Sequence, residues 1–455
     1  MIGFETIGNA TVIVHDDKPL LATDPWFEGS AYFGSWGLSH SVPAEQTDHI
    51  KACPYIFLTH GHPDHLNGPC LEQLREATLL LPNHAGARIA DDLRASGFKT
   101  QVLDDAVWTV LSPRVKVMSL CDYNQDAVLL IDVDGHLLIN LNDSSHEAFF
   151  WKRTVKRIVK AYEKSFLLKI AGYGDANMIN YHDENGIRIP PRIKDIQVGR
   201  KIRFYTEYYR PRYFVPFSSF HVYQRADSAW ANEYTTPLEA YLDGWGEGGA
   251  EMLPAFIRWD CSTETFEELK PPTVQTEIFE PTVFGDNWSD VLEPEDKPKI
   301  EKYFNDIGAL SSRLDYVTLR VGQQDFSVAL DGVARSNRGV TFELPRHSLM
   351  TAVEHCLFDD LMIGNYAKTT LHGDWSLQTL YPHFMPLVPK YADNGLARTE
   401  DELAKYFATY RRRAPMRYLL HLLETGSQSR IRPWLREHPK LFDAALKAYQ
   451  FTRRL

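Results

Sequence analysis

A layered α/β sandwich of the αβ/βα kind, extended by a C-terminal α+β region, is the fold class this 455-residue sequence predicts. Three observations predict it. Residues 1–150 alternate short apolar strands with short helices. Polar residues gather where those strands end, as in open α/β sheets. The chain is also too long for one ordinary domain, so a second unit is expected. The boundary is placed at residues 275/276, giving a first domain over 1–275 and an accessory region over 276–455 packed on its functional site.

Taken in order, "ATVIVHD" and "KPLLATDPW" read as a hairpin turning at Asp16-Asp17. "YIFLTH" is a buried strand, "LEQLREA" a helix and "ATLLLPN" a strand. "AGARIADDLRASG" is a helix closed by Gly97. "VKVMSL", "AVLLIDVDG" and "HLLINLND" continue the strand series. Residues 150–230 are helix-rich and return to a strand at "PRYFVPF". The Gly- and acid-rich stretch after Pro237 reads as an excursion. From about residue 280 a second unit begins, with strands "YVTLRVG" and "DFSVALDG", a helix from Arg346 to Phe358, and helical segments in the tail, including "EDELAKYFATYRRRA".

Composition narrows the function classes. The net charge of −11 argues against nucleic-acid or anionic-membrane partners, while leaving room for a local basic pocket. No run of 18 apolar residues occurs, so no membrane-spanning helix is read. The opening "MIGFETIGNATVIV" reads as a first strand and not as a signal peptide. Five scattered cysteines suit a reduced, cytoplasmic protein.

The chemistry is concentrated in "FLTHGHPDHLNG", which places His60, His62, Asp64 and His65 directly after a hydrophobic strand. Beyond the strand, His60 and His62 project together, and Asp64 and His65 turn the other way, toward a second centre. Imidazoles bind iron, zinc or manganese, and a carboxylate favours the harder ions. A turn that carries these four residue types by chance is the bland alternative, and the spacing disfavours it.

This H-x-H-x-D-H segment resembles the metallo-β-lactamase superfamily. "LLATDPWF", with its Thr23-Asp24-Pro25-Trp26 turn, and "HLLINLNDSS" add to the likeness, which covers roughly residues 1–225. The resemblance implies that Asp143, at a strand end, bridges two metals. It also implies a histidine ligand some 20 residues earlier, where this chain instead reads "SLCDYNQDAVLLI". Asp122 is taken as the replacement, with Asp126 as rival. The last family ligand falls on His221 in "RYFVPFSSFHVY", although the usual spacing points nearer Ser218.

A narrower resemblance is to the CMP-N-acetylneuraminate hydroxylase branch and to diiron monooxygenases of natural-product pathways. It rests on "CPYIFLTHGHPDHLN", "GHLLINLNDSS", "AGYGDANMINY", "RPRYFVPFSSF" and "LFDDLMIGNYAK". It implies a non-haem diiron monooxygenase holding two iron ions, with catalysis turning on Asp64 and Asp143, that hydroxylates a small organic substrate, carrier- or coenzyme A-linked. The paired Cys-x-His and Cys-x₂-His motifs of a Rieske cluster do not occur, so an external electron donor is expected. The alternative is a dinuclear hydrolase of lactonase, thioesterase or phosphodiesterase type, with two zinc or manganese ions at the same ligands. A non-catalytic metal-binding scaffold is the remaining class. Trp26 could wall a substrate pocket, and Arg210 could meet a phosphate or carboxylate.

Overall fold

A single left-handed residue, Asp17 (φ 64°), turns strand Thr11–Asp16 into Lys18–Thr23. These strands lie inside an eight-stranded sheet. Its order is Thr265–Glu268, Ile257–Asp260, Ile2–Ile7, Thr11–Asp16, Lys18–Thr23, Tyr55–Phe57, Thr78–Pro82 and Lys99–Leu103. A seven-stranded sheet faces it, ordered Glu251–Met252, Tyr213–Pro216, Lys164–Lys169, His136–Asn142, Ala127–Val133, Val115–Cys121 and Thr109–Ser112. The computed structural model describes residues 1–144, 149–170, 178–191, 197–246, 249–330, 332, 336–375, 378–416, 418–419 and 422. All of "AGYGDAN" and the tail beyond residue 422 lie outside the described residues.

Side-chain alternation assigns the layers. Val12, Val14, Leu21, Phe57, Leu129, Ile131, Phe166 and Leu168 fill the space between the sheets. Their neighbours Ile13, Ala22 and Ile56 point outward onto Ile50, Leu71 and Leu93 of the flanking helices. On the far side, Leu130, Ile139 and Leu167 meet Trp151, Val155, Ile202 and Tyr205 of helices Phe149–Val159 and Val198–Tyr209. The result is helix, sheet, sheet, helix: the αβ/βα sandwich.

Three expectations need correction. The "LEQLREA" helix spans Gly68–Glu72, because the Asn67 side chain caps it from the Cys70 amide at 3.2 Å and starts it early. The stretch after Pro237 returns to both sheets: Glu251–Met252 extends one, and Ile257–Asp260 pairs with Ile2–Ile7 in the other. Gly3 makes that pairing possible, since a Cβ there would lie 2.0 Å from the Trp259 carbonyl oxygen. The helix from Arg346 ends at His355, where Cys356 is left-handed (φ 55°).

The C-terminal unit carries a five-stranded sheet, ordered Tyr181–His182, Lys368–Gly373, Arg338–Glu343, Tyr316–Val321 and Gln324–Ala329. Its edge strand Tyr181–His182 comes from the middle of the chain, so the two regions interlock. Arg225 fastens them further. It is fully buried, bonds Asp227 at 2.8 Å and Asp286 at 2.7 Å, and stacks over Tyr366 at 4.0 Å. Ser35 Oγ donates to the Gly364 carbonyl at 2.6 Å, and Asn365 Nδ2 donates to Tyr223 Oη at 2.8 Å. Among the described residues no helix is long and apolar enough to cross a membrane.

Two outcomes follow from these buried charges. Arg225→Ala strands two carboxylates and should lower stability by about 3–5 kcal/mol in denaturant unfolding, with Arg225→Lys recovering only part of the loss. On the first strand, burial raises the Glu5 carboxyl, but His15, His49 and Arg258 more than offset this and hold it at about 2. A lowered carboxyl contributes stability that is full above its unfolded value near 4.5 and lost as pH falls through about 2. The stability gap between wild type and Glu5→Gln should therefore be largest near neutral pH and close on acidification through that window.

Candidate metal centre

The candidate ligands sit at the carboxyl ends of parallel strands, where open α/β sheets place their ligands. Lys18–Thr23 runs parallel to Tyr55–Phe57, so Asp24 and the turn after Phe57 emerge side by side. In the facing sheet His136–Asn142, Lys164–Lys169 and Tyr213–Pro216 are parallel, so Asp143 and Ser218 emerge at the same end.

Asp24 holds the histidine turn in place. Its Oδ1 accepts from the Thr59 amide at 2.7 Å, and its Oδ2 accepts from Thr59 Oγ1 and Asn142 Nδ2, both at 2.8 Å. His60 Nδ1 lies 3.0 Å from Thr59 Oγ1, and His60 Nε2 lies 2.9 Å from His62 Nδ1. His65 is fully buried; its Nε2 lies 3.2 Å from Asp64 Oδ2 and 3.3 Å from Asp143 Oδ2. Asp64 is braced by Tyr32 Oη at 2.5 Å and Asn9 Nδ2 at 3.0 Å. Ser218 Oγ donates to Asp143 Oδ1 at 2.7 Å. His221 lies flat on Trp36, ring centroids 3.4 Å apart.

The structure thus brings His60, His62, Asp64, His65 and Asp143 into one buried cluster, and His221 is near enough for the charges of Asp64 and Asp143 to act on it. Ser218, favoured by spacing, supports Asp143, while the neighbouring histidine supplies the free nitrogen. Asp122 Oδ1 accepts from the amides of Asn124 at 2.8 Å and Asp126 at 3.1 Å, while Asp126 lines the cavity beside His60 and His62. Trp26 is buried under the sheet end and is not among the residues that line the cavity. Arg210 closes helix Val198–Tyr209 and faces a separate concave surface with Lys156, Arg200 and Arg203. Tyr205 and Tyr209 belong to the core behind the second sheet.

The sequence points to "LFDDLMIGNYAK" as part of a region packed on the metal site, but it does not single out the acids of that segment as site residues. Asp359 Oδ2 lies 2.9 Å from His62 Nε2. Donor atoms of His60, His65 and Asp143 fall within 4.8 Å of one another, as do those of His62, Asp359 and Asp360. The paired acids in "FDDL" were the available signal, but nothing in the local pattern marked them as facing residues 300 positions upstream. Asn9, Tyr32 and Thr59 carried no signal beyond their polar character.

The electrostatics fit a group carrying concentrated positive charge. Burial drives His60 well below its usual range and His221 down to about 3, so both imidazoles are neutral lone-pair donors near pH 7. Burial raises Asp122 and Asp360, and in each case a neighbouring aspartate adds to the rise. Burial alone raises Asp64 and Asp143, yet His65 beside them holds both low. His221 Nε2 and Asp122 Oδ2 are buried without a hydrogen-bond partner among the described residues. A buried polar atom without a partner is costly, and a metal ion would satisfy both. Neutral imidazoles and carboxylates together form a donor set suited to iron, zinc or manganese.

A cavity of about 340 Å³ opens over the cluster. His60, His62, Asp126 and Asp143 form its floor, and Ile363, Thr379, Tyr381, Met385 and Lys390 of the C-terminal unit contribute to its walls. Asp126 and Asp359 act to keep Lys390 protonated, against the effect of its burial.

Metal titration separates the ligands. His62→Ala should lose at least one ion relative to wild type, read by elemental analysis after gel filtration. Asp122→Ala should reduce loading where Asp126→Ala does not; the reverse pattern would transfer the role to Asp126.

No protein-family model matches the chain. It is similar to the cytidine monophosphate-N-acetylneuraminic acid hydroxylase of Asterias rubens, 29% identical over 136 residues, which is 28% of this chain and 21% of that protein. The Danio rerio enzyme of the same name is 27% identical over 129 residues, 26% of this chain and 22% of that one. The chain thus spans about a fifth of the length of these curated relatives. Among solved structures, CmlA, a diiron β-hydroxylase from Streptomyces venezuelae, aligns with 59% of this chain and 54% of its own at 15% identity and a TM-score of 0.36. Igni18, a metallo hydrolase from Ignicoccus hospitalis, aligns with 59% of this chain and 99% of its own at 18% identity and a TM-score of 0.33. Two facing sheets between helices form the αβ/βα sandwich, with H-x-H-x-D-H following an inner strand of the first sheet.

Proposed function

We propose that this chain is a non-haem diiron monooxygenase that hydroxylates a small organic substrate with dioxygen. The observation that carries the reading is the abundance of carboxylates at the centre. Asp64 and Asp143 lie against His65, and Asp122 keeps a buried oxygen without a partner among the described residues. Oxygen-rich, anionic ligation favours the higher oxidation state of a redox-active metal, which zinc does not exploit. Similarity to a hydroxylase over part of the chain supports the same reading.

The two iron ions would be held by His60, His62, Asp64, His65, Asp122, Asp143 and His221. Bound there, they would supply the electrons that activate dioxygen toward a C–H bond. The protein's own residues do the rest. Tyr32 and Asn9 fix Asp64, Ser218 fixes Asp143, and Trp36 fixes the plane of His221. Ile170, Met178, Ile363 and Met385 give the cavity an apolar wall that excludes water and receives a hydrocarbon portion. Lys390, Thr379 and Tyr381 offer polar contacts that orient it. A cavity of about 340 Å³ suits a small molecule or the reacting end of a carrier-bound one. A separate electron donor is the proposed redox partner. The cytoplasm is the proposed location, in keeping with five free cysteines.

The test is metal identity and its redox response. Protein produced without added zinc should carry two irons per chain and a visible diferric band. Reductant should bleach the band without air, and dioxygen should restore it, with ¹⁸O from ¹⁸O₂ appearing in the product. Full turnover of a lactone, thioester or phosphodiester by the zinc form without dioxygen would replace this reading with the dinuclear hydrolase.

A further inference from the structure

Asp359 belongs to helix Phe358–Ile363 of the C-terminal unit, yet it touches a histidine of the metal motif. The proton positions around that contact can be worked out from the donors. A metal-ligating imidazole is neutral, with one N–H and one lone pair. The Thr59 hydroxyl has one proton, which it donates to Asp24 Oδ2 at 2.8 Å. Toward His60 Nδ1, at 3.0 Å, it can then only accept, so His60 carries its proton on Nδ1 and its lone pair on Nε2. His62 Nε2 lies 2.9 Å from Asp359 Oδ2, an ionised carboxylate oxygen that can only accept. His62 therefore carries its proton on Nε2 and its lone pair on Nδ1.

These two lone pairs face each other. His60 Nε2 and His62 Nδ1 are 2.9 Å apart, and with both tautomers fixed there is no proton to place between them. The arrangement is repulsive in a bare protein and favourable with a cation beside both nitrogens. Two carboxylates impose it: Asp24 through a hydroxyl relay within the first domain, and Asp359 directly from the second.

We infer that Asp359 is a positioning residue of the metal centre: it holds His62 in the Nε2–H tautomer, so that Nδ1 is the ligating atom. Carboxylates that orient ligating histidines typically change metal affinity by about 10–100-fold when removed. Asp360, its neighbour, approaches the same histidine, but the 2.9 Å contact belongs to Asp359. The inference rests on this cluster being a metal centre and is independent of whether the metal drives oxidation or hydrolysis.

Two measurements test it on the full-length chain. In Zn²⁺-loaded protein labelled with ¹⁵N-histidine, the two-bond ¹H–¹⁵N spectrum should show His62, assigned with His62→Gln, protonated on Nε2. A proton on Nδ1 in the wild type overturns the inference by itself. In Co²⁺ titrations against a competing chelator, Asp359→Ala should weaken the ion held by His60 and His62 by about 10–100-fold and alter its visible bands. Asp359→Asn, whose amide oxygen still accepts from Nε2–H, should restore most of the affinity and the wild-type spectrum. Equal loss in both variants would make Asp359 a direct ligand, and wild-type affinity in Asp359→Ala would leave it no role; either overturns the inference. Failure of the wild type to bind Co²⁺ would instead defeat the metal-centre reading beneath it.

Discussion

Carboxylates removed from water must be paired, and this molecule buries a group of them at one point. Asp24, Asp64, Asp122, Asp359 and Asp360 are all buried, and Asp143 is nearly so, at the ends of strands from both sheets and in the first turn of a C-terminal helix. Isolated, each would cost several kcal/mol in desolvation. Four of the six are accommodated by specific partners: Thr59 and Asn142 for Asp24, Tyr32 and Asn9 for Asp64, His65 and Ser218 for Asp143, His62 for Asp359. The hydroxyls and amides at Asn9, Tyr32, Thr59, Asn142 and Ser218 exist to serve these carboxylates, and the strands exist in an order that delivers them. Where the partners run out, at Asp122 Oδ2 and His221 Nε2, the protein has left room for positive charge.

That constraint also explains why the two regions interlock. The edge strand Tyr181–His182 seats in the C-terminal sheet, the Arg225–Asp286 pair locks the junction, and Asp359 reaches back to His62. A cation at the centre stabilises whichever arrangement presents its ligands correctly, so its binding energy is also folding energy. If Asp359 orients a ligand, metal affinity and the seating of the C-terminal unit are linked, and by thermodynamic necessity each strengthens the other to the same degree.

Much of this was legible in the sequence for physical reasons that operate locally. Short, near-continuous apolar runs such as "ATVIVHD" and "AVLLIDV" give strands buried on both faces, and H-x-H-x-D-H has few uses other than metal ligation. What was not legible depends on distance along the chain. The "FDDL" acids look like any helix start until the fold brings them to His62. The strands Arg338–Glu343 and Lys368–Gly373 carry mixed, polar-rich patterns that only a finished sheet satisfies. Pairing of Ile257–Asp260 with Ile2–Ile7 joins segments some 250 residues apart, and its sequence trace is a single glycine at position 3. Arg210 illustrates the opposite failure: a chemically suitable residue near a functional strand, carried by its left-handed helix end to another face.

The central claim is that this cluster of imidazoles and carboxylates holds two metal ions between the sandwich and the C-terminal unit. Anomalous diffraction at the metal's absorption edge, from crystals of the metal-loaded protein, tests it most directly. The account predicts two peaks side by side, one against His60 Nε2 and His62 Nδ1, the other against His65 Nε2, Asp64 and His221 Nε2, with Asp143 in contact with both. Fully loaded crystals with no peak at the His60–His65 turn, or with the ions at the Glu5, His15 and His49 group instead, would contradict it.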